Sequence, residues 1–363
     1  MLKHSKPRKT GHAPPAENLP DDLVYTTDNE PGYRRRKRGG RFVYLLPSGA
    51  PLRNPRELAR IARLAIPPAY TDVWICRNAR GHLQATGRDA RGRKQYRYHE
   101  KWNAVRSASK FHRLIEFAGH LPALRAQVQK DLDLPGLPQQ KVLAAVVRLL
   151  ELTAIRVGNE EYSRDNGSYG LTTLRNHHAR LRGGKIGFRF RGKAGKFHSV
   201  DLDDPKLARI VRKCQELPGQ ILFQFLDEQG QAISIDSVDV NRYIRMHSAH
   251  DFSAKDFRTW AGTVLAARTL LKKEFSDDEA EAKSRIVATT NEVAEALGNT
   301  PAVCRKCYVH PAVFEAYLDH SLRLPAVRSR RVFPAKGLSA EERALIRLLS
   351  RRESRENYSQ IPR

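Results

Sequence analysis

Residues 137–153, LPQQKVLAAVVRLLELT, place apolar side chains at three- and four-residue spacing. That period is typical of a helix with a buried face. The same period recurs in residues 110–132, KFHRLIEFAGHLPALRAQVQKDL. We therefore predict that the chain is mainly helical from about residue 106 onward.

The chain before residue 106 carries a β-type pattern with a single helix. NPRELARIARLAIPP, residues 54–68, predicts a short helix that the prolines Pro67 and Pro68 stop. The predicted strands share alternating apolar and polar residues between turn signals. They are RFVYLL (41–46), DVWIC (72–76), HLQAT (82–86) and KQYRYH (94–99). A run of basic residues, 34–38, lies in the same region.

Two further elements are expected inside the helical part. KIGFRFRGKAGKFHSVDL, residues 185–202, predicts a β-hairpin with its turn at G-K-A-G, and helices resume from about residue 204. GLSAEERALIRLLSRR, residues 337–352, opens with a capping box from Ser339 to Glu342 and predicts a late helix.

These patterns predict an α+β fold: a small β-rich N-terminal domain followed by a mainly α-helical domain that contains a β-hairpin. We place a disordered basic tail at residues 1–20, the β-rich domain at 21–105, and the helical domain with its basic C-terminal helix at 106–363.

The charge balance indicates a polyanionic partner. Lys and Arg number 65 against 39 Asp and Glu, a net charge of +26. Phosphate neutralisation favours nucleic acid binding at any sequence, although a merely adhesive basic protein would show the same balance. The four cysteines are too few for a disulfide scaffold. Without an apolar leader or membrane run, we expect a cytoplasmic, nucleoid-associated protein and no membrane partner.

NTPAVCRKCYVHP, residues 299–311, contains a C-x-x-C pair that could indicate a metal or redox site. Cys304, Cys307 and His310 supply at most three ligands, whereas structural zinc usually has four. Haem attachment would need histidine where Tyr308 stands. We therefore expect packing cysteines, with no metal and no cofactor.

The tyrosine in the same stretch has a second interpretation. Thr300 and Pro301 predict a helix start, and Pro311 disfavours helix at His310. Tyr308 is then expected near the end of a short helix. A tyrosine hydroxyl is a poor nucleophile at neutral pH unless its anion is stabilised, and a structural tyrosine is the simpler alternative.

Two arginines could supply that stabilisation. Arg156 directly follows the apolar helix, and Arg258 lies between Phe257 and Trp260. A guanidinium can bind two phosphate oxygens and keeps its charge, so the pair could stabilise a pentacoordinate phosphorus without a metal. Structural ion pairs remain the alternative for each arginine.

Lys193, at the predicted hairpin turn, could donate a proton to a leaving oxygen, or it could be an ordinary solvated lysine. The string G-K-A-G-K lacks the spacing of a phosphate-binding P-loop.

Basic residues alternate with aromatic ones in GRDARGRKQYRYH, residues 87–99, as expected of a strand that contacts DNA. A solvated strand face is the alternative. The candidate DNA-binding residues are Arg88, Arg93, Lys94, Gln95, Tyr96 and Tyr98.

Taken together, the chain resembles the poxvirus-type type IB DNA topoisomerases, in particular their bacterial branch. RVGNEEYSRDNGSYGLTTL (156–174), FRGKAGK (190–196), KDFRTWAGT (255–263) and NTPAVCRKCYVHP occur in family order. GRKQYRYH (92–99) is similar to the N-terminal DNA-contacting strand of the family. The resemblance covers residues from about 25 to 330.

The resemblance implies relaxation of supercoiled duplex DNA through a 3′-phosphotyrosyl intermediate, without ATP or metal. Tyr308 is implied as nucleophile, Arg156 and Arg258 as ligands of the non-bridging oxygens, and Lys193 as general acid. Asn299 stands where the viral enzymes have histidine and can still donate a hydrogen bond. The β-rich domain would bind DNA, the helical domain would be catalytic, and a monomer would clamp the duplex.

Two alternatives to the topoisomerase remain. A tyrosine recombinase would use a similar residue set, but Lys255 stands where recombinases usually have histidine, and residues 21–100 are β-type instead of helical. A non-enzymatic nucleic-acid-binding protein would bury Tyr308 in its core.

Overall fold

The structure, a computed structural model, describes residues 19–20, 22–90, 92, 94–325, 333–334 and 336–359. The side chains of residues 103–110, 112, 161–162, 165 and 355–359 are not described. The predicted tail, residues 1–20, therefore lies almost wholly outside this part of the chain. The chain divides into two compact units, one ending at Lys110 and the other beginning at Phe111.

The first unit is an antiparallel sheet with one helix. The strands lie in the order β2-β1-β3-β4-β5. They are β1 (Tyr33–Arg38), β2 (Arg41–Leu45), β3 (Thr71–Ile75), β4 (Leu83–Arg88) and β5 (Lys94–Tyr98), with α1 (Pro55–Arg63) between β2 and β3. Asn54 caps α1, since its Oδ1 accepts hydrogen bonds from the amides of Arg56 and Glu57. The predicted strands and helix are confirmed.

The basic run 34–38 proves to be a strand of this sheet, β1, which the sequence patterns did not identify. The run lacks the alternation of apolar and polar residues that indicates a strand, because charged residues occupy both faces. Arg35 donates to the backbone carbonyls of Ile66, Pro67 and Tyr70. Arg35 therefore has a structural role, because its guanidinium is bound to the protein backbone and not to a polyanion.

The second unit is mainly helical. Its helices are α2 (Glu100–Leu132, which begins before the boundary), α3 (Gln139–Thr153), α4 (Glu160–Asn166), α5 (Pro205–Gln215), α6 (Ser237–Ser248), α7 (Ala254–Leu271), α8 (Glu279–Ala296), α9 (Pro301–Cys307), α10 (Pro311–Leu318) and α11 (Ala340–Ser359). The stretch Val142–Leu150 of α3 is buried throughout. This helix is therefore a core element and not a surface helix.

The predicted hairpin is present and has a third strand. β6 (Ala179–Arg182), β7 (Lys185–Arg191) and β8 (Phe197–Asp203) form an antiparallel sheet, and Arg191 pairs with Phe197 beside the turn. Helices resume at α5, as predicted, but a second small hairpin that the sequence patterns did not identify, β9 (Gln224–Leu226) with β10 (Ala232–Ser234), lies among them. Strands of three residues are too short to show a period, so this hairpin has no clear sequence signal.

A buried ionic network attaches the last helix to the helical core. The Glu342 carboxylate, fully buried, accepts hydrogen bonds from Arg125 at 2.7 and 3.0 Å and from the Trp260 indole at 2.9 Å. Arg125 also binds Glu151 of α3 at 2.7 Å. The predicted capping box from Ser339 to Glu342 is confirmed, and the same glutamate also ties α11 to α2 and α7.

We expect Glu342→Ala to lower the free energy of unfolding by about 3–5 kcal/mol, because it leaves the Arg125 charge buried with one carboxylate fewer. Urea unfolding followed by far-UV circular dichroism measures the change. Glu279→Ala, which breaks the exposed i,i+4 pair with Lys283, is the matched control and should leave the midpoint nearly unchanged. Equal midpoints for the two variants would contradict this account of α11.

Candidate active site

Arg156 is placed by the way α3 ends. Ala154 takes a left-handed conformation, with φ of 51°, and turns the chain out of the helix. The guanidinium of Arg156, two residues later, donates to the side-chain oxygen of Asn299 at 2.5 Å and to the carbonyl of Gly298 at 3.5 Å. These acceptors are neutral, so they hold the guanidinium without cancelling its charge.

Arg258 lies on α7 and is 3% exposed. It donates to the carbonyl of Ala154 and, at 2.8 Å, to the carbonyl of Leu297. Its Nε is buried and has no hydrogen-bond partner among the described residues. Burial, and then the nearby charge of Arg156, lower the pKa of Arg258 from 12.5 to about 10. It is still a cation at neutral pH, with a donor left unused.

Tyr308 faces this second arginine. Its ring centroid lies 5.0 Å from the Arg258 guanidinium carbon. The predicted helix start is confirmed, since Thr300 caps α9 by accepting from the amide of Val303, and Tyr308 is the C-cap residue. The tyrosine is therefore held at the point where α9 ends.

Helix α7 also fixes the backbone of Tyr308. A Cβ on Gly262 would lie 2.4 Å from the Tyr308 carbonyl oxygen, so only glycine permits this approach. Gly262 follows Arg258 by four residues, which puts both on one face of α7. One helix face therefore presents the guanidinium to the tyrosine ring and accommodates its backbone.

Asn299 supplies a second unused donor. The side chain is 7% exposed, and its oxygen accepts from Arg156. Its Nδ2 is buried without a hydrogen-bond partner in the described part of the chain. A buried donor without an acceptor is unfavourable unless a ligand supplies the missing hydrogen-bond acceptor. Arg258 Nε and Asn299 Nδ2 therefore both suggest an acceptor that binds at this site.

Lys193 lies in the turn between β7 and β8 and is exposed. It lines a cleft of about 290 Å³ together with Arg156, Arg258 and Tyr308. The structure thus brings these four predicted residues to one cleft, which would accept an anion.

Of the two cysteines beside Tyr308, Cys304 is buried and Cys307 is partly buried. Cys304 is fully buried in α9. His310 caps α10, because its Nδ1 accepts from the amide of Ala312 at 3.1 Å. Among the residues that the structure describes, no group of three or more His, Cys, Asp or Glu side chains could hold a metal ion.

The candidate DNA-binding residues belong to the first unit, on and beside β5. Tyr96 is 46% exposed and stacks on Tyr98 with ring centroids 6.1 Å apart. Lys94 forms an ion pair with Asp28 at 2.5 Å, and Gln95 donates to Asp89. Arg88 donates to the carbonyl of Gly92 and lies 3.7 Å from Asp72. Arg93 lies outside the described residues.

Two residues of the cleft region were missed as functional candidates from the sequence. Lys255 lines the cleft one turn before Arg258, and from the sequence it served only as evidence against a recombinase. Gly262 is part of the KDFRTWAGT motif, and its spacing from Arg258 was the available signal.

In the described part of the chain, no helix combines the length and apolar character needed to cross a membrane.

Two protein-family models match separate stretches of this chain. The family described as "Eukaryotic DNA topoisomerase I, catalytic core" matches residues 99–328, and "Bacterial DNA topoisomerase IB, N-terminal domain" matches residues 41–89. DNA topoisomerase 1B of Acanthamoeba polyphaga mimivirus is 31% identical over 296 residues, covering 80% of this chain and 88% of the relative. DNA topoisomerase 1B of vaccinia virus (strain Copenhagen) is 21% identical over 264 residues, covering 71% and 81%.

Among solved structures, the chain is similar to the XerH site-specific recombinase bound to difH substrate. The TM-score is 0.33 and the identity 15%, with 53% of this chain and 49% of the other covered. A likeness at this level carries no argument.

We expect Gly262→Ala to slow DNA cleavage by about 100-fold, because the added methyl group displaces the Tyr308 backbone and misplaces its hydroxyl. Single-turnover formation of the protein–DNA adduct at saturating enzyme measures the rate. Gly119→Ala is the control, since its helical position has open space around the new Cβ. Equal rates for both variants would show that this backbone approach does not set the tyrosine's position.

Proposed function

Since this chain belongs to the type IB DNA topoisomerase family, we propose that Tyr308 is its nucleophile and the cleft around it the phosphodiester-binding site. The enzyme cuts one strand of duplex DNA, lets it swivel and reseals it. Supercoils of either sign are relaxed, and the phosphotyrosyl bond conserves the energy needed for resealing.

The proposed chemistry is a transesterification. The phenolic oxygen of Tyr308 forms a bond to phosphorus, and the bond from phosphorus to the 5′ oxygen breaks. Lys193 gives its proton to that oxygen as the general acid, and the phenolic proton goes to water. The product is a 3′-phosphotyrosyl end and a 5′-hydroxyl end, and religation reverses each step.

The observation that carries this assignment is the set of unused cationic and amide donors around Tyr308. Arg258 Nε and Asn299 Nδ2 are both buried without partners in the described chain. The guanidinium groups of Arg156 and Arg258 donate to neutral oxygens. A phosphate oxygen would satisfy both the missing hydrogen bonds and the uncompensated charge. The structural ion-pair alternative predicts carboxylate acceptors instead.

Arg156 and Arg258 are proposed to bind the non-bridging oxygens, and Asn299 to donate through Nδ2. Fixed cations that act at the charge developing in the transition state supply the electrostatic stabilisation that a metal would otherwise give. We therefore propose that the reaction requires neither a metal nor ATP.

The tyrosine recombinase alternative is not favoured. The family matches and the relatives named above are topoisomerases. In addition, Lys255 stands one turn before Arg258 on α7, where recombinases usually have histidine.

We further propose that residues 21–105 bind duplex DNA and that residues 106–363 perform catalysis, in an enzyme that clamps DNA as a monomer in the cytoplasm. Exposed Tyr96 and the cations Arg88, Arg93 and Lys94 would contact the duplex. Lys94 would exchange its partner Asp28 for a phosphate, and Arg88 would exchange Asp72. The net charge of +26 attracts DNA to the protein.

We expect Tyr308→Phe to abolish the covalent adduct and supercoil relaxation while DNA affinity changes less than about twofold, because only one hydroxyl is lost. Wild type and variant are incubated with supercoiled plasmid, half of each sample is quenched with SDS, and topoisomers and protein-linked nicks are counted. Filter binding gives the affinity. An adduct formed by the variant would remove Tyr308 from its proposed role.

We expect relaxation at an undiminished rate in EDTA without ATP, because cations of the protein take the place of a metal. The measurement is the plasmid assay with and without EDTA, at matched ionic strength, since DNA binding is salt-dependent. Complete loss in EDTA with recovery on adding magnesium would contradict the proposed chemistry.

A further inference from the structure

The turn that carries Lys193 is attached to the segment that carries Asn299. The ammonium group of Lys196 donates a part-buried hydrogen bond to the backbone carbonyl of Asn299. Lys196 lies on the turn between β7 and β8, and Asn299 lies just before α9, whose C-cap residue is Tyr308. The bond therefore links the two chain segments that face each other across the site.

His198 makes a second link between the same two segments. A Cβ on Gly192 would lie 2.5 Å from His198 Cδ2, and a Cβ on Gly298 would lie 2.4 Å from His198 Cε1. The imidazole thus contacts the backbone on both sides, at two glycines that have no side chain to keep it away. It is also stacked on Phe190, with ring centroids 5.0 Å apart and an interplanar angle of 7°.

These contacts involve the immediate neighbours of the site residues. Gly192 precedes Lys193, and Gly298 precedes Asn299, whose side chain binds Arg156. The turn is closed internally, because the amide of Gly192 donates to the carbonyl of Lys196 at 2.7 Å. A shift of Lys196 or His198 would therefore move Lys193 relative to Arg156.

The surroundings keep His198 a neutral packing group. Burial, and then the charges of Arg156, Arg258 and Lys196, lower the pKa of its imidazole. At neutral pH it fills the space between the two glycines without adding another cation. Lys196 is the charged member of the link and has a neutral acceptor.

We propose that Lys196 and His198 are positioning residues that hold the general acid Lys193 over the leaving oxygen. This inference rests on the proposed role of Lys193. Neither residue touches the reacting atoms, and both act by fixing the turn against Gly298 and Asn299. Their effect is confined to the step in which the bond from phosphorus to the 5′ oxygen breaks and that oxygen takes the proton.

The test uses two duplexes that differ in one atom. A cleavage position is first mapped on linear DNA from the trapped adduct. One duplex then carries the natural 5′ oxygen at that position, and the other carries a 5′ bridging sulfur. A thiolate leaves without protonation because a thiol is a far stronger acid than an alcohol, so the sulfur duplex does not need the general acid. Adduct formation is measured in single turnover at saturating enzyme.

We expect Lys196→Met and His198→Ala each to slow cleavage of the oxygen duplex by about 10- to 100-fold. Cleavage of the sulfur duplex should stay within about twofold of wild type. The double variant Lys193→Ala, Lys196→Met should cleave the oxygen duplex no more slowly than Lys193→Ala alone, because a positioning residue has no effect once the positioned group is absent.

Lys185→Met is the matched control. It removes one cation from an exposed position of the same sheet, on β7 at the end remote from the turn. It should cleave both duplexes at wild-type rates. This control separates the loss of a positive charge near DNA from the loss of the link to Asn299.

The outcomes distinguish the inference from the proposed function beneath it. If Lys193→Ala is slow on both duplexes, Lys193 is not the general acid, and the role of Lys193 fails together with the inference. If Lys193→Ala is rescued by sulfur but Lys196→Met is slow on both duplexes or on neither, only the positioning role is overturned. Additive losses in the double variant would also overturn it.

Discussion

The site depends on one buried guanidinium. Arg258 of α7 donates to the carbonyl of Ala154, just past α3, and to the carbonyl of Leu297, just past α8. Three helices of the second unit therefore meet at a single cation. Two residues beyond each acceptor lies another member of the site, Arg156 after Ala154 and Asn299 after Leu297. The hydrogen bonds that hold Arg258 thus also position its neighbours.

A buried cation with neutral acceptors is costly to maintain, because the charge loses its hydration without gaining a counter-ion. Arg258 is buried with carbonyl acceptors, whereas the other buried arginines of the described chain are paired with carboxylates. Arg125, at 3% exposure, binds both Glu151 and Glu342. This difference indicates that the two arginines have different roles. Arg125 joins helices, whereas the charge of Arg258 faces only neutral carbonyl acceptors, in keeping with its proposed role as a phosphate ligand.

The rigid support of the site comes from elements that have no chemistry of their own. Helix α3 is buried along most of its length and so fixes the point at which Arg156 emerges. Helix α11 reaches α7 through Glu342 and Trp260, two residues beyond Arg258. Gly262 lets the Tyr308 backbone approach α7 closely enough to bring its ring to the guanidinium. Packing that is remote from the cleft thus fixes distances within it.

Local sequence patterns were sufficient to predict many of the helices and strands of this protein. The apolar period of residues 137–153, the Thr300–Pro301 helix start and the capping box at Ser339 each depend on neighbours within a few residues. The motif order around Arg156, Lys193, Arg258 and Tyr308 likewise predicted the family. Such features can be recognised from the sequence because helix caps, turns and short motifs are determined by local geometry.

Tertiary structure alone decided which charges are neutralised and which donors stay unused. Nothing near Glu342 in sequence indicates that it binds Arg125, 217 residues away. The same holds for Lys196 and Asn299, for Arg35 and its three carbonyls, and for the short strands β9 and β10. A partner's identity depends on the path of the whole chain, whereas a helix or turn depends on adjacent residues. The sequence by itself therefore determined most of the elements and the family, and the folded chain decided the remaining strands and how the charges are paired.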